Sequence, residues 1–138
     1  MKVFGALNGW SIDTDISEQR EMLAQARENM PKPDPSSLPC TVEDVQVTVR
    51  DGTSIQVRIY KPRDAPTNGC PGIVIYHGGG FCVGDADIEA WLCKMFTELG
   101  GIAVDIQYRH APERPFPVPI EDSFDGLKWV RITECAEP

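Results

Sequence analysis

Ile73-Val74-Ile75-Tyr76-His77-Gly78-Gly79-Gly80-Phe81 sets a glycine-rich turn directly after a continuous apolar run. Four apolar residues without polar alternation predict a strand over 73–76 that is covered on both faces. The three glycines give up side chains, so backbone N–H groups can come close to a ligand. At the carboxyl end of a strand, such groups can stabilise an oxyanion that develops during acyl transfer.

Working outward, residues 85–99 read as a helix, with Ile88, Trp91, Leu92, Met95 and Leu99 on one stripe and Gly100 past its end. Ile102 to Ile106 is a second strand. A proline-rich loop, 111–117, leads to a last helix near 119–133. Pro119 fits its first turn, and Ile120, Phe124, Leu127 and Val130 are expected to face the core. Strand, helix, strand and helix at this spacing predict a parallel sheet with right-handed crossovers. Upstream, Val45, Val47 and Val49 alternate with polar residues, Asp51-Gly52 turns the chain, and Ile55, Val57 and Ile59 alternate back. That pattern predicts an antiparallel hairpin with one buried and one wet face. Further upstream, residues 15–29 read as a helix capped by Asp15 with Glu18 three residues on, ended by Pro31, with Met22, Leu23 and Ala26 as its apolar stripe. Residues 31–39 form a stiff, extended linker. The expected organisation is a segment 1–39 of helix and linker, then an α/β core over 40–138.

At 138 residues the chain holds one domain at most, long enough for a real core. A net charge of −8 argues against nucleic acid or an anionic membrane as partner, since both require clustered Lys and Arg. Five cysteines, Cys40, Cys70, Cys82, Cys93 and Cys135, show no CxxC pair, which disfavours a disulfide framework or a zinc site. Reduced thiols in a cytoplasmic protein are the expectation. The stretch from Met1 lacks a signal-peptide core, because Asn8 and Asp13 interrupt it early, and no later run is long enough to span a bilayer.

Tyr108-Arg109-His110-Ala111-Pro112-Glu113 and Pro115-Phe116-Pro117 follow the glycine turn, with Glu121-Asp122 opening the next helix. With His77-Gly78-Gly79-Gly80-Phe81, these motifs resemble the hormone-sensitive-lipase-like carboxylesterases of the α/β-hydrolase fold, over roughly residues 40–133. The N-terminal helix matches that family's cap region only loosely. The resemblance implies that Gly79 and Gly80 are oxyanion-hole donors and that Gly78 shapes the turn. It also implies that His77 is a structural residue of the loop, and that Tyr108, Arg109 and Glu113 brace the loop after the second parallel strand. No metal or organic cofactor is implied. His110 departs from the family pattern, where that position is commonly apolar, and it reads as a partly exposed loop histidine. Ser123 lacks the strained elbow of a nucleophile and reads as a helix residue. Cys82 lies beside the glycines, but no second histidine is placed to activate it. Trp91 and Trp129 read as packing residues.

An esterase of this family uses a serine in a G-x-S-x-G elbow, then an acid, then a histidine. The sequence contains no such elbow, and its only histidines are His77 and His110. The expectation is therefore the N-terminal part of the fold, incomplete, with an oxyanion hole but no triad, and inactive by itself. Completed, it would act on a small-molecule ester. The alternative is a non-catalytic remnant of the hydrolase scaffold that binds a small molecule or a protein. The strand at 73–76 would be left with an open edge, so self-association or a partner chain is expected there.

Overall fold

The computed structural model of the chain describes residues 15–28, 40–64 and 69–134. The chain divides into two compact units, Met1–Asp34 and Pro35–Pro138. The expected linker 31–39, the first ten residues and Cys135 lie outside the described residues.

In the first unit, α1 spans Ile16–Glu28. The Asp15 carboxylate accepts the Ser17 N–H at 2.8 Å, and the Gln19 N–H donates to the Asp15 carbonyl. Asp15 therefore caps the helix as expected, but through Ser17 rather than through a reciprocal bond with Glu18.

In the second unit, β1 (Cys40–Thr48) and β2 (Ser54–Pro62) form the expected hairpin. Gly52 takes a φ of 82° in the turn, and Asp51 accepts the backbone N–H and the hydroxyl of Thr53. β3 (Gly72–Ile75), α2 (Ala90–Glu98), β4 (Ile102–Gln107) and α3 (Val118–Glu134) follow. The sheet order is β1-β2-β4-β3. β3 and β4 are parallel, with Ile75 opposite Asp105, while β2 joins β4 antiparallel, with Arg58 opposite Asp105. A hairpin thus feeds a parallel pair, as the sequence predicts.

Both faces of the sheet are packed. Val47, Val49, Ile55, Val57, Val104 and Ile106 form one core with Val130 and Trp129 of α3. Cys40, Tyr60, Ile75 and Ala103 form the other with Cys93 and Phe96 of α2. The second hairpin face is therefore not uniformly wet, because α2 covers its Cys40–Tyr60 end.

The helices correct the sequence reading. Residues 85–89 lie outside the helix, with a turn at 86–88, and α2 begins at Ala90. Its buried residues are Cys93 and Thr97, whereas Trp91, Met95 and Leu99 are exposed. Likewise α3 buries Pro119, Asp122, Gly126 and Val130, while Ile120, Phe124 and Leu127 are each more than 40% exposed. Small residues bring each helix axis close to the sheet. A Cβ on Gly126 would lie 2.8 Å from two Ile106 side-chain carbons. β3 pairs on one side only among the described residues, so Ile73 and Val74 are half-buried rather than fully covered. No helix among the described residues is long and apolar enough to cross a membrane.

Candidate active site at the glycine turn

Parallel neighbours end at the same edge of a sheet, which is where ligands bind in open α/β folds. His77 lies two residues past the end of β3, and Tyr108 directly follows β4. The turn between them is knotted by its own backbone. The Gly79 carbonyl accepts the N–H groups of Cys82 and Val83, both at 3.1 Å, and the Phe81 carbonyl accepts the Ala111 N–H at 2.9 Å. The last bond pins the glycine turn to the loop that follows β4.

This path needs glycine at two positions for different reasons. Gly79 has a φ of 130°, and a Cβ there would sit 1.9 Å from the Val83 carbonyl oxygen. Gly84 has a φ of 128°, and a Cβ there would lie 2.1 Å from His77 Nδ1. Phe81 is held at a φ of 63°, a left-handed conformation that costs on the order of 1 kcal/mol for a residue with a side chain. Among the described residues, the N–H groups of Gly79 and Gly80 donate no hydrogen bond within the chain, and both residues are exposed. Two adjacent N–H groups without a partner in the chain therefore lie on exposed residues of a strained, pinned turn.

His77 lies beneath them, 3% exposed, stacked on Tyr108 with ring centroids 4.4 Å apart. The Tyr108 hydroxyl donates to the His77 carbonyl at 2.7 Å. The ring of His77 has Nδ1 2.9 Å from the Gly78 carbonyl and Nε2 3.3 Å from Nε2 of His110. Arg109 places Nε and one terminal nitrogen on the buried Asp122 carboxylate, at 2.8 and 2.7 Å, and another on Asp51 at 2.8 Å. The loop after β4 is thereby tied to both α3 and the hairpin turn. Glu113 is exposed on that loop.

The remaining candidates resolve plainly. The Ser123 hydroxyl donates to the Pro119 carbonyl one helical turn back, at 2.7 Å, so it is a helix residue. Cys82 is half-buried and contributes its backbone N–H to the turn. Trp129 packs against the core as expected, but Trp91 is 63% exposed. Cys40, Cys70 and Cys93 are free thiols. Among the described residues, no group of three or more His, Cys, Asp or Glu could hold a metal ion.

Two features escape the sequence reading. One is the contact of His110 with His77, which only the parallel pairing of β3 and β4 creates. The other is Asp105, fully buried on β4, with both carboxylate oxygens lacking a hydrogen-bond partner. Arg58 is its cross-strand neighbour but turns its guanidinium to Asp44 and Asp87. Burial pushes the Asp105 carboxyl up to about 7, with the nearby Arg58 charge opposing that shift. Tyr108 is raised as well, chiefly by burial and then by Asp105 and Cys82.

A family model described as the α/β-hydrolase fold matches residues 73–137. The chain belongs to the α/β-hydrolase fold family. Its similarities point to the hormone-sensitive-lipase-like carboxylesterase branch. It is 35% identical over 124 residues to an α/β-hydrolase superfamily protein of Schizosaccharomyces pombe, covering 89% of this chain and 35% of that protein. It is 33% identical over 129 residues to the carboxylic ester hydrolase LipN of Mycobacterium tuberculosis, covering 93% of this chain and 32% of that one. Among solved structures, an esterase of Pyrobaculum calidifontis superposes with a TM-score of 0.71 at 32% identity, over 91% of this chain and 40% of that one. The chain thus spans about a third of the length of these curated relatives.

Proposed function

We propose that the turn 77–84 is the oxyanion-holding part of a carboxylic ester hydrolase site. Gly79 and Gly80 are its donors, and His77 and Gly78 are its structural support. The observation that carries this reading is the pair of unengaged N–H groups on exposed residues just past the carboxyl end of β3. When a nucleophile adds to an ester carbonyl, its oxygen gains a full negative charge. Donors already fixed near that position stabilise the charge without reorganising, at a distance of about 2.7–3.1 Å. The substrate class is a small-molecule ester, supported by the relatives named for ester hydrolysis. Residues 1–39 are read as a cap-like segment, and the free thiols support a cytoplasmic location.

The sequence of 138 residues contains no G-x-S-x-G elbow, and its two histidines are engaged with each other. On that ground this stretch is not expected to turn over esters unaided. The same observation favours a second reading, a hydrolase scaffold that binds a small molecule or a protein without turnover. A chimera separates the two. Residues 72–134 replace their counterpart in the Pyrobaculum calidifontis esterase, and hydrolysis of p-nitrophenyl acetate is followed. Turnover within about tenfold of the parent supports a working oxyanion turn. A folded chimera that binds the ester but does not cleave it supports the scaffold reading.

A further inference from the structure

His77 and His110 are 33 residues apart in sequence, yet they meet Nε2 to Nε2 at 3.3 Å, with rings edge to face and centroids 5.1 Å apart. Two ring nitrogens at that distance need one proton between them, so one must donate and the other accept. The opposite side of the His77 ring decides which. Its Nδ1 lies 2.9 Å from the Gly78 carbonyl oxygen, which can only accept. It also lies 3.2 Å from the Tyr108 hydroxyl, whose single proton is given to the His77 carbonyl at 2.7 Å. Both neighbours therefore favour a proton on Nδ1, and the contact at Nε2 adds to that preference. A neutral His77 then offers a lone pair on Nε2, and His110 must be the donor.

We infer that His110 is a positioning residue: it donates from Nε2 to Nε2 of His77 and so fixes the buried ring as the Nδ1–H tautomer that braces the glycine turn. The ring so held donates to Gly78, the first glycine of the turn, and fills the space that Gly84 leaves for it. If His77 took the other tautomer, the Gly78 carbonyl would face a lone pair, and the two Nε2 groups would compete for one contact. The same geometry limits charge. Two imidazolium rings would point N–H at N–H, so the pair holds at most one positive charge. The titratable groups acting on the shared neighbour Tyr108 are Cys82 in the turn and Asp105 on β4. Arg109, next in sequence, is directed to Asp122 and Asp51.

The inference deepens the proposed role of the turn, but its direct readout needs no ester chemistry. Long-range proton–nitrogen correlation spectra of the imidazoles in the 138-residue chain at pH 7.5 report which ring nitrogen carries the proton. The expected result is His77 protonated at Nδ1 and bare at Nε2. His110→Gln retains an N–H donor and is expected to keep that tautomer. His110→Leu removes it and is expected to give a mixture, with exchange of the Val83 and Ala111 amide protons about tenfold faster, the worth of one hydrogen bond. A His77 ring protonated at Nε2 and bare at Nδ1 in the unaltered chain would overturn the inference. So would an unchanged His77 tautomer in a folded His110→Leu variant. If that variant fails to fold, the unaltered chain and His110→Gln still decide the matter. An inactive chimera alongside a confirmed Nδ1–H tautomer would sink the ester reading and leave this one standing.

Discussion

A carboxyl group with neither oxygen partnered, as at Asp105, resists ionisation until near pH 7 because burying charge is costly. Its folded value of about 7 lies above the ordinary 3.8, so the folded state keeps a proton that the unfolded chain releases. The resulting penalty is absent below about pH 4, grows through the interval, and is complete above pH 7. Stability is expected to fall by on the order of a few kcal/mol between pH 4.5 and pH 8. Asp105→Asn should flatten that slope and melt higher than the unaltered chain at pH 8. Urea midpoints at the two pH values check this, and a pH-independent midpoint in the unaltered chain would refute it. Asp51 and Asp125 act in a separate window. The first is lowered to about 2 by hydrogen bonds from Thr53 and then Arg109, the second to about 2 by Arg50. Their stabilisation is present above pH 4 and is lost as the pH falls toward 2. Nothing in the local sequence marked Asp105, since an acid between Val104 and Ile106 could equally have sat on a wet face. Its burial follows from Tyr60, Cys93 and α2 covering that side of β4. By contrast, Gly79 was legible, because a glycine that must take φ of 130° belongs to a run following a buried strand.

The elements show where periodicity succeeds and where it misleads. Alternation in β1 and β2 and the apolar run of β3 gave the strands, the hairpin and the parallel pair, but not the antiparallel join of β2 to β4. The helical stripes gave only part of the buried faces, Leu92 and Val130. In α2 the small residues Ala90, Cys93 and Thr97 mark the near side beside Leu92 and Phe96, and in α3 Pro119, Asp122 and Gly126 do so beside Val130, while Trp91, Met95, Leu99, Ile120, Phe124 and Leu127 lie outward. A stripe argument ranks residues by hydrophobicity, but here close approach and ion pairing select the contact. Two predictions separate these views. Gly126→Ala should destabilise by about 1–3 kcal/mol, because its Cβ would press on Ile106. Leu99→Glu, at a position 77% exposed, should change stability by less than about 0.5 kcal/mol. Chemical denaturation of the two variants checks both, and the reverse order would contradict the observed helix orientation. Asp122→Ala removes the buried partner of the Arg109 guanidinium, which keeps Asp51, and should cost about 1–3 kcal/mol. Arg109 and Asp122 were read correctly as motif residues, but their mutual pairing needed the fold.

At the scale of the molecule, β3 pairs on one side only among the described residues, and Trp91, Leu99, Phe116 and Phe124 lie largely exposed. An unprotected strand edge next to apolar surface favours pairing with another chain. The 138-residue chain is therefore expected to self-associate at micromolar concentration, and sedimentation velocity showing a clean monomer would count against this. The fold family was readable from two short motifs and the helix between them. The composition of a pocket was not, because substrate walls are built from side chains that no motif specifies. The central claim concerns Gly79 and Gly80, and the most direct measurement is kcat for p-nitrophenyl acetate in the chimera carrying Gly79→Ala beside one carrying Gly78→Ala. A Cβ at position 79 collides with the Val83 carbonyl and displaces the donors, whereas one at position 78 meets open space. The account predicts a loss of about 10²–10³ for Gly79→Ala and a change of less than about threefold for Gly78→Ala. Equal effects in two folded variants would contradict it.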